Sequence, residues 1–247
     1  MEEQKILPIM NHLVELRKRI IIVAVFFIIC MGVGFYLSPK LMNYIKRQPI
    51  ASEVEWNVFS FTDGLFIYMK CALLFALIFT IPLLLHQAWK FAEPGLTGRE
   101  ARGVKQFIPI SFLLFIGGIA FSYYVVFPMM LRFMTEMNQS IGANETYGLQ
   151  QFFTFLFNII IPIAAAFEMP IIVLFFTKIG MLTPELLKKG RKYIYLLLAV
   201  IGGMISPPDF ISHLSVLIPL IILFECSIIC SKVYLQRLHK KSRGNER

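Results

Sequence analysis

The sequence predicts an all-α polytopic membrane protein with six transmembrane helices and both termini in the cytoplasm. Three observations carry that prediction. The chain of 247 residues is 57% hydrophobic and only 16% charged, against about 25% charged in a soluble domain. Its apolar residues gather into six blocks: residues 20–37, 71–85, 107–131, 152–176, 193–205 and 214–230. Its 24 Lys and Arg residues are spread unevenly over the connections between those blocks, and the side rich in positive charge is the cytoplasmic one.

A spanning helix needs about 20 apolar residues. The third and fourth blocks exceed that length, and the first reaches it with its flanking residues. The second reaches it when the helix begins near Leu65 and takes in Lys70, whose long stem snorkels toward the interface. The fifth block is about 20 Å of helix and the sixth about 26 Å, so the last two helices are expected to be short against about 30 Å of hydrocarbon. Two adjacent short helices would thin the bilayer around them. Pro82, Pro109, Pro128, Pro162, Pro170 and Pro219 lie inside the blocks. Each removes a backbone donor and favours a kink, so the expected bundle is built of kinked helices around a concave, glove-like face.

The charge asymmetry sets the topology. Lys5, Arg17, Lys18 and Arg19 precede the first block, and Lys90, Arg99, Arg102 and Lys105 follow the second. Lys178, Lys188, Lys189, Arg191 and Lys192 follow the fourth, and the tail from Lys232 to Arg247 is basic throughout. The remaining loops hold only Lys40, Lys46, Arg47 and Arg132. Both termini are therefore expected inside, and the span count even. The reading is one transmembrane domain over residues 1–247, with a cytoplasmic N-terminal segment at 1–19 and a basic cytoplasmic tail at 232–247. The positives are scattered over loops rather than gathered on one face, which argues against nucleic-acid binding.

The outside loops are read as residues 38–64, 132–151 and the turn Ser206-Pro207-Pro208-Asp209. Trp56, Phe59 and Phe61 in the first suit a membrane interface. Two prolines in the last cannot continue a helix. Asp209 either caps the next helix or acts directly. Cys30, Cys71, Cys226 and Cys230 lie in or beside apolar blocks and read as small apolar helix residues. No metal or cofactor is expected.

Glu168 stands in the middle of the fourth block, where Asn158 is the only other strongly polar side chain. A carboxylate at bilayer depth costs several kcal/mol or more unless it is paired, hydrated or protonated. Glu225 occupies a comparable place in the sixth block. Two such carboxylates fit a proton-coupled small-solute transporter, but no internal repeat supports that architecture. No His-Glu-x-x-His, Gly-x-Ser-x-Gly or paired aspartate motif points to an enzyme.

Two polar motifs flank the first spans. The first is His12-Leu13-Val14-Glu15-Leu16-Arg17-Lys18-Arg19, in which His12, Glu15 and Arg19 share one helix face. The second is Gln87-Ala88-Trp89-Lys90-Phe91, leading to Pro94-Gly95-Leu96 and to the scarce acidic residues Glu93 and Glu100. With Gly118-Ile119-Ala120-Phe121, Pro128, Phe167-Glu168-Met169-Pro170, Arg191-Lys192-Tyr193, Pro207-Pro208-Asp209 and Phe224-Glu225, these motifs give the chain a resemblance to the TatC family, the multispanning core of the twin-arginine protein translocase. The match runs nearly end to end, in order and in spacing. Thr97, Ala101 and His86 depart from the usual family pattern.

The resemblance implies a non-enzymatic receptor in the bacterial cytoplasmic membrane for folded proteins bearing a twin-arginine signal peptide. It implies that Glu15 and Glu100 hold the arginine pair, with Arg17, Phe91, Pro94 and Leu96 in the same binding surface. A guanidinium forks bidentately onto a carboxylate in a way that lysine does not copy. It implies that Glu168, Pro170 and Glu225 belong to a docking region for single-span subunits, of TatA type or also of TatB type, or for the inserted signal peptide. Self-association in a receptor complex and transport energised by the proton-motive force follow from the same resemblance.

Overall fold

The computed structural model describes residues 3–48, 56–92, 107–140, 142, 147–206 and 209–244, and these are helical almost throughout. The helices are α1 (Glu3–Lys46), α2 (Asp63–Ala92), α3 (Phe107–Phe121), α4 (Phe127–Ser140), α5 (Leu149–Ala166), α6 (Met169–Lys178), α7 (Pro184–Ile205) and α8 (Phe210–Gly244). Among the described residues, five helical stretches are long and apolar enough to cross a membrane: Leu13–Lys46, Asp63–Phe91, Ile108–Ser140, Leu149–Lys178 and Phe210–Arg237. The protein is an all-α, multi-pass membrane protein.

Three expectations about helix length need correction. The last helix is not short, because α8 runs for 35 residues, about 52 Å, and Phe210–Arg237 within it is one of the five candidate spans. Its turns continue through polar residues beyond both ends of the apolar block. Likewise α1 does not stop at Ser38-Pro39 but extends to Lys46. Pro39 gives up one donor, and the Ser38 hydroxyl lies 2.8 Å from the Gly34 carbonyl and 3.0 Å from that of Tyr68. The fifth helix is also longer than its apolar block: α7 has 22 residues, about 33 Å, with Lys188, Lys189, Arg191 and Lys192 in its first half and only residues 193–205 apolar.

Five of the six block prolines divide into two groups, and the sixth, Pro109, lies in the first turn of α3. Pro82, Pro162 and Pro219 sit inside unbroken helices. Pro128 and Pro170 coincide with local breaks. Five residues, Ser122–Val126, form a wider π turn just ahead of Pro128. The turn relieves the clash between the proline ring and the carbonyl four residues earlier, at Tyr124. Four residues before Pro170 lies Ala166, the last residue of α5. Phe167 and Glu168 form the turn between α5 and α6, with the Glu168 amide bonding to the Ala165 carbonyl at 3.1 Å.

The chain divides into two compact units, Met1–Ile45 with Tyr68–Phe112, and Lys46–Ile67 with Leu113–Arg247. In the first, α1 lies directly on α2. A Cβ on Gly34 would meet the Ala72 carbonyl oxygen and the Phe75 Cβ, each at 2.9 Å, so glycine is required for the backbones to approach. Phe35 packs edge-on against Tyr68 with ring centroids 5.8 Å apart. Ile20, Ile28, Ile29 and Tyr36 on the remaining surface of α1 are exposed, as expected of side chains that face lipid.

The second unit has an aromatic core. Phe115, Phe127, Phe153 and Phe157 are fully buried, and Phe127 meets Phe152 edge-to-face at 5.5 Å. Trp56 covers the end of this cluster, 5.2 Å from Phe152. The segment carrying Trp56 is pinned where Leu149 donates its amide to the Asn57 carbonyl at 2.7 Å. Helices α6 and α8 meet through the buried hydroxyls of Thr177 and Ser231, 2.8 Å apart.

Candidate functional site

The N-terminal motif and the end of α2 come together in the first unit. Glu15 and Arg19 are one turn apart on α1 and form an ion pair. The Arg19 guanidinium also donates to the Gln87 amide oxygen at 3.2 Å and to the Lys90 main-chain carbonyl at 3.0 Å. Lys90 lies in the last turn of α2, where carbonyls lack intrahelical partners and the helix dipole favours a cation. Arg19 thus satisfies the end of one helix while holding a carboxylate on another. Its side chain is 13% exposed and that of Glu15 is 35% exposed, so the carboxylate is the outward group. Arg17 and Lys18 are exposed beside it, Phe91 is half-buried, and Trp89 is buried beneath. The site is a carboxylate within a basic collar, chemically suited to a cation with directional donors. Glu100, Pro94 and Leu96 lie outside the described residues.

The second unit holds the other candidates. Glu168 is 2% exposed, in the turn between α5 and α6, with Pro170 in the first turn of α6. Phe167 stacks near Phe121, with centroids 5.5 Å apart. Gly118 lets α3 approach Ala164 and Phe167 closely. Glu225 differs from Glu168 in kind. It accepts from Arg191 and from the Tyr195 hydroxyl, both at 2.6 Å, and it is partly exposed. Its charge is matched by a basic residue of α7.

Asp209 accepts from the Ser212 amide at 2.6 Å and so caps α8. Asp209→Ala is expected to cost about 1 kcal/mol, visible as a lower melting temperature in detergent, with Asp209→Asn keeping most of it. Pro207 and Pro208 lie outside the described residues. Among the described residues no group of three or more His, Cys, Asp and Glu gathers as a metal site would require.

Sequence reasoning placed Arg19 on the face of Glu15 but did not connect either to α2. The usable signal was the four-residue spacing on α1 together with the second motif, whose Gln87 and Lys90 supply the acceptors. The Arg191–Glu225 pair joins two motifs that had been read separately.

The family model for the Sec-independent protein translocase protein TatC matches residues 11–219. This chain belongs to the TatC family. Among TatC relatives, the Sec-independent protein translocase protein TatC of Halalkalibacterium halodurans is 40% identical over 234 residues, covering 95% of this chain and 92% of the relative. TatCy of Bacillus subtilis is 38% identical, covering 97% of this chain and 94% of its own. A crystal structure of the twin-arginine translocase receptor TatC superposes with a TM-score of 0.77 at 34% identity, covering 90% of this chain and 98% of that one. A second, in the detergent DDM, gives 0.79 over 89% and 99%. TatC is a component of a protein translocase, not an enzyme, and works within a receptor complex of membrane proteins.

Proposed function

We propose that this protein is the signal-peptide receptor and core of a twin-arginine translocase, which exports folded proteins across the bacterial cytoplasmic membrane. The observation that carries this reading is the likeness, over nine-tenths of the chain, to a solved twin-arginine translocase receptor. In this reading α7 completes a set of six spans and both termini are cytoplasmic, as the distribution of Lys and Arg requires. The arginine pair of a signal peptide is received by Glu15 and Glu100. Arg17, Phe91, Pro94 and Leu96 frame the same surface.

Glu168, buried beside the Pro170 break, and Glu225 mark where single-span TatA-type and TatB-type partners dock. The Pro207-Pro208-Asp209 motif belongs to the outer side in this reading. Several copies assemble in the receptor complex, and the proton-motive force drives passage of the cargo.

Export of a folded reporter in cells lacking this protein tests the reading. A reporter with an Arg-Arg signal is expected to reach the outside only when the protein is restored, and its Lys-Lys counterpart to stay inside. Equal export of the Arg-Arg reporter with and without the protein would refute the proposal.

A further inference from the structure

We infer that Arg19 is a positioning residue that makes the Glu15 site select guanidinium over ammonium groups. The inference rests on the reading that Glu15 receives a signal-peptide arginine, and it assigns the selectivity to a residue that does not itself touch the peptide. Arg19 meets three acceptors at once: the Glu15 carboxylate, the Gln87 amide oxygen at 3.2 Å and the Lys90 carbonyl at 3.0 Å. Two of these lie on α2, so the guanidinium spans two helices. An ordinary exposed pair four residues apart on a helix is weak and leaves its side chains free to rotate. Here the planar fork is already fixed by two acceptors on another helix, and little further freedom is lost in holding the carboxylate.

The tether has two consequences. It restrains one carboxylate oxygen of Glu15, which limits rotation of the carboxylate and favours docking of an incoming planar guanidinium with paired, parallel hydrogen bonds. It also sets a positive charge against Glu15, which weakens the attraction for every cation, so that binding comes to depend on directional hydrogen bonds, which a guanidinium makes in pairs. Exposed Arg17 and Lys18 add to that penalty. An ammonium group is a compact point charge, so lysine is disfavoured on both counts while arginine is disfavoured on one.

The test uses the full-length protein in membrane vesicles and two synthetic signal peptides that differ only in carrying Arg-Arg or Lys-Lys. Equilibrium binding of each is measured to the wild type, to Arg19→Gln and to Gln87→Ala. The preference for Arg-Arg is expected to fall about tenfold in Arg19→Gln, largely because Lys-Lys binds better. In Gln87→Ala, which keeps both charges and removes one anchor, it is expected to fall by a smaller factor. A preference unchanged in both variants overturns the inference, and so does an equal loss of both peptides, which would make Arg19 only a brace for α2. If Arg19→Gln fails to accumulate, Gln87→Ala decides alone. A wild type that binds the two peptides equally would refute the receptor reading itself.

Discussion

Replacing Glu15 and Glu100 together by alanine is expected to abolish crosslinking to a twin-arginine signal peptide while leaving the protein in the membrane. A hydrogen bond to a charged partner contributes about 1.5–3 kcal/mol, and a bidentate pair adds geometric specificity. Glu15 is 35% exposed, so solvent screening trims its share toward the lower end. Two such pairs still amount to about 3 kcal/mol, a loss of at least a hundredfold in affinity. Glu15→Gln is the informative single change. It keeps an acceptor for Arg19 while removing the charge, and should weaken binding about tenfold without disturbing the junction of α1 with α2. Site-specific photocrosslinking in inverted vesicles is the measurement, and undiminished crosslinking in the double variant would remove both residues from the recognition site.

The limits of what could be read from sequence are physical. Long apolar blocks announced the first four spans because hydrocarbon thickness sets a minimum length that few other structures meet. The apolar length of the final helix misled, since a helix does not end where hydrophobicity does: α8 continues through Lys232 and Arg237, whose side chains are exposed while the backbone stays hydrogen-bonded. The loop expected from Ser38 onward is helix as far as Lys46, since Pro39 removes only one donor. The Glu15–Arg19 face was visible as a four-residue spacing. Its attachment to Gln87, 68 residues away, is tertiary and leaves no local trace. For the same reason Glu225 looked like a second Glu168, although Glu225 is partly exposed and bonded to α7 and Glu168 is buried.

Gly118→Val is expected to destabilise the protein by about 2–3 kcal/mol, at the upper end of what overpacking costs, and to disturb the surroundings of Glu168. A Cβ at Gly118 would lie 2.8 Å from the Ala164 Cα and 2.9 Å from the Phe167 Cγ. The first of these is backbone, so α3 and α5 must separate for it to fit. Separation would sacrifice the close approach on which helix association in lipid depends. Helix propensity pulls the other way: Gly to Ala in a helix interior is favourable by about 1 kcal/mol. The contest is decided by the contact distance, since alanine alone already creates the backbone clash and valine adds two methyl groups to it. Neighbouring Gly117, where an added Cβ meets nothing within 4 Å, isolates the propensity term, and Gly117→Ala should leave stability unchanged or slightly raised. Because Phe167 immediately precedes Glu168, pushing the helices apart moves the turn that holds the buried carboxylate. Gly118→Val should therefore lose transport of an Arg-Arg reporter even at a temperature where the protein persists. Thermal aggregation in detergent and protease resistance in membranes report the first effect, and reporter export the second. Equal tolerance of Gly117→Ala and Gly118→Val would show that α3 and α5 are not packed backbone to backbone at Gly118.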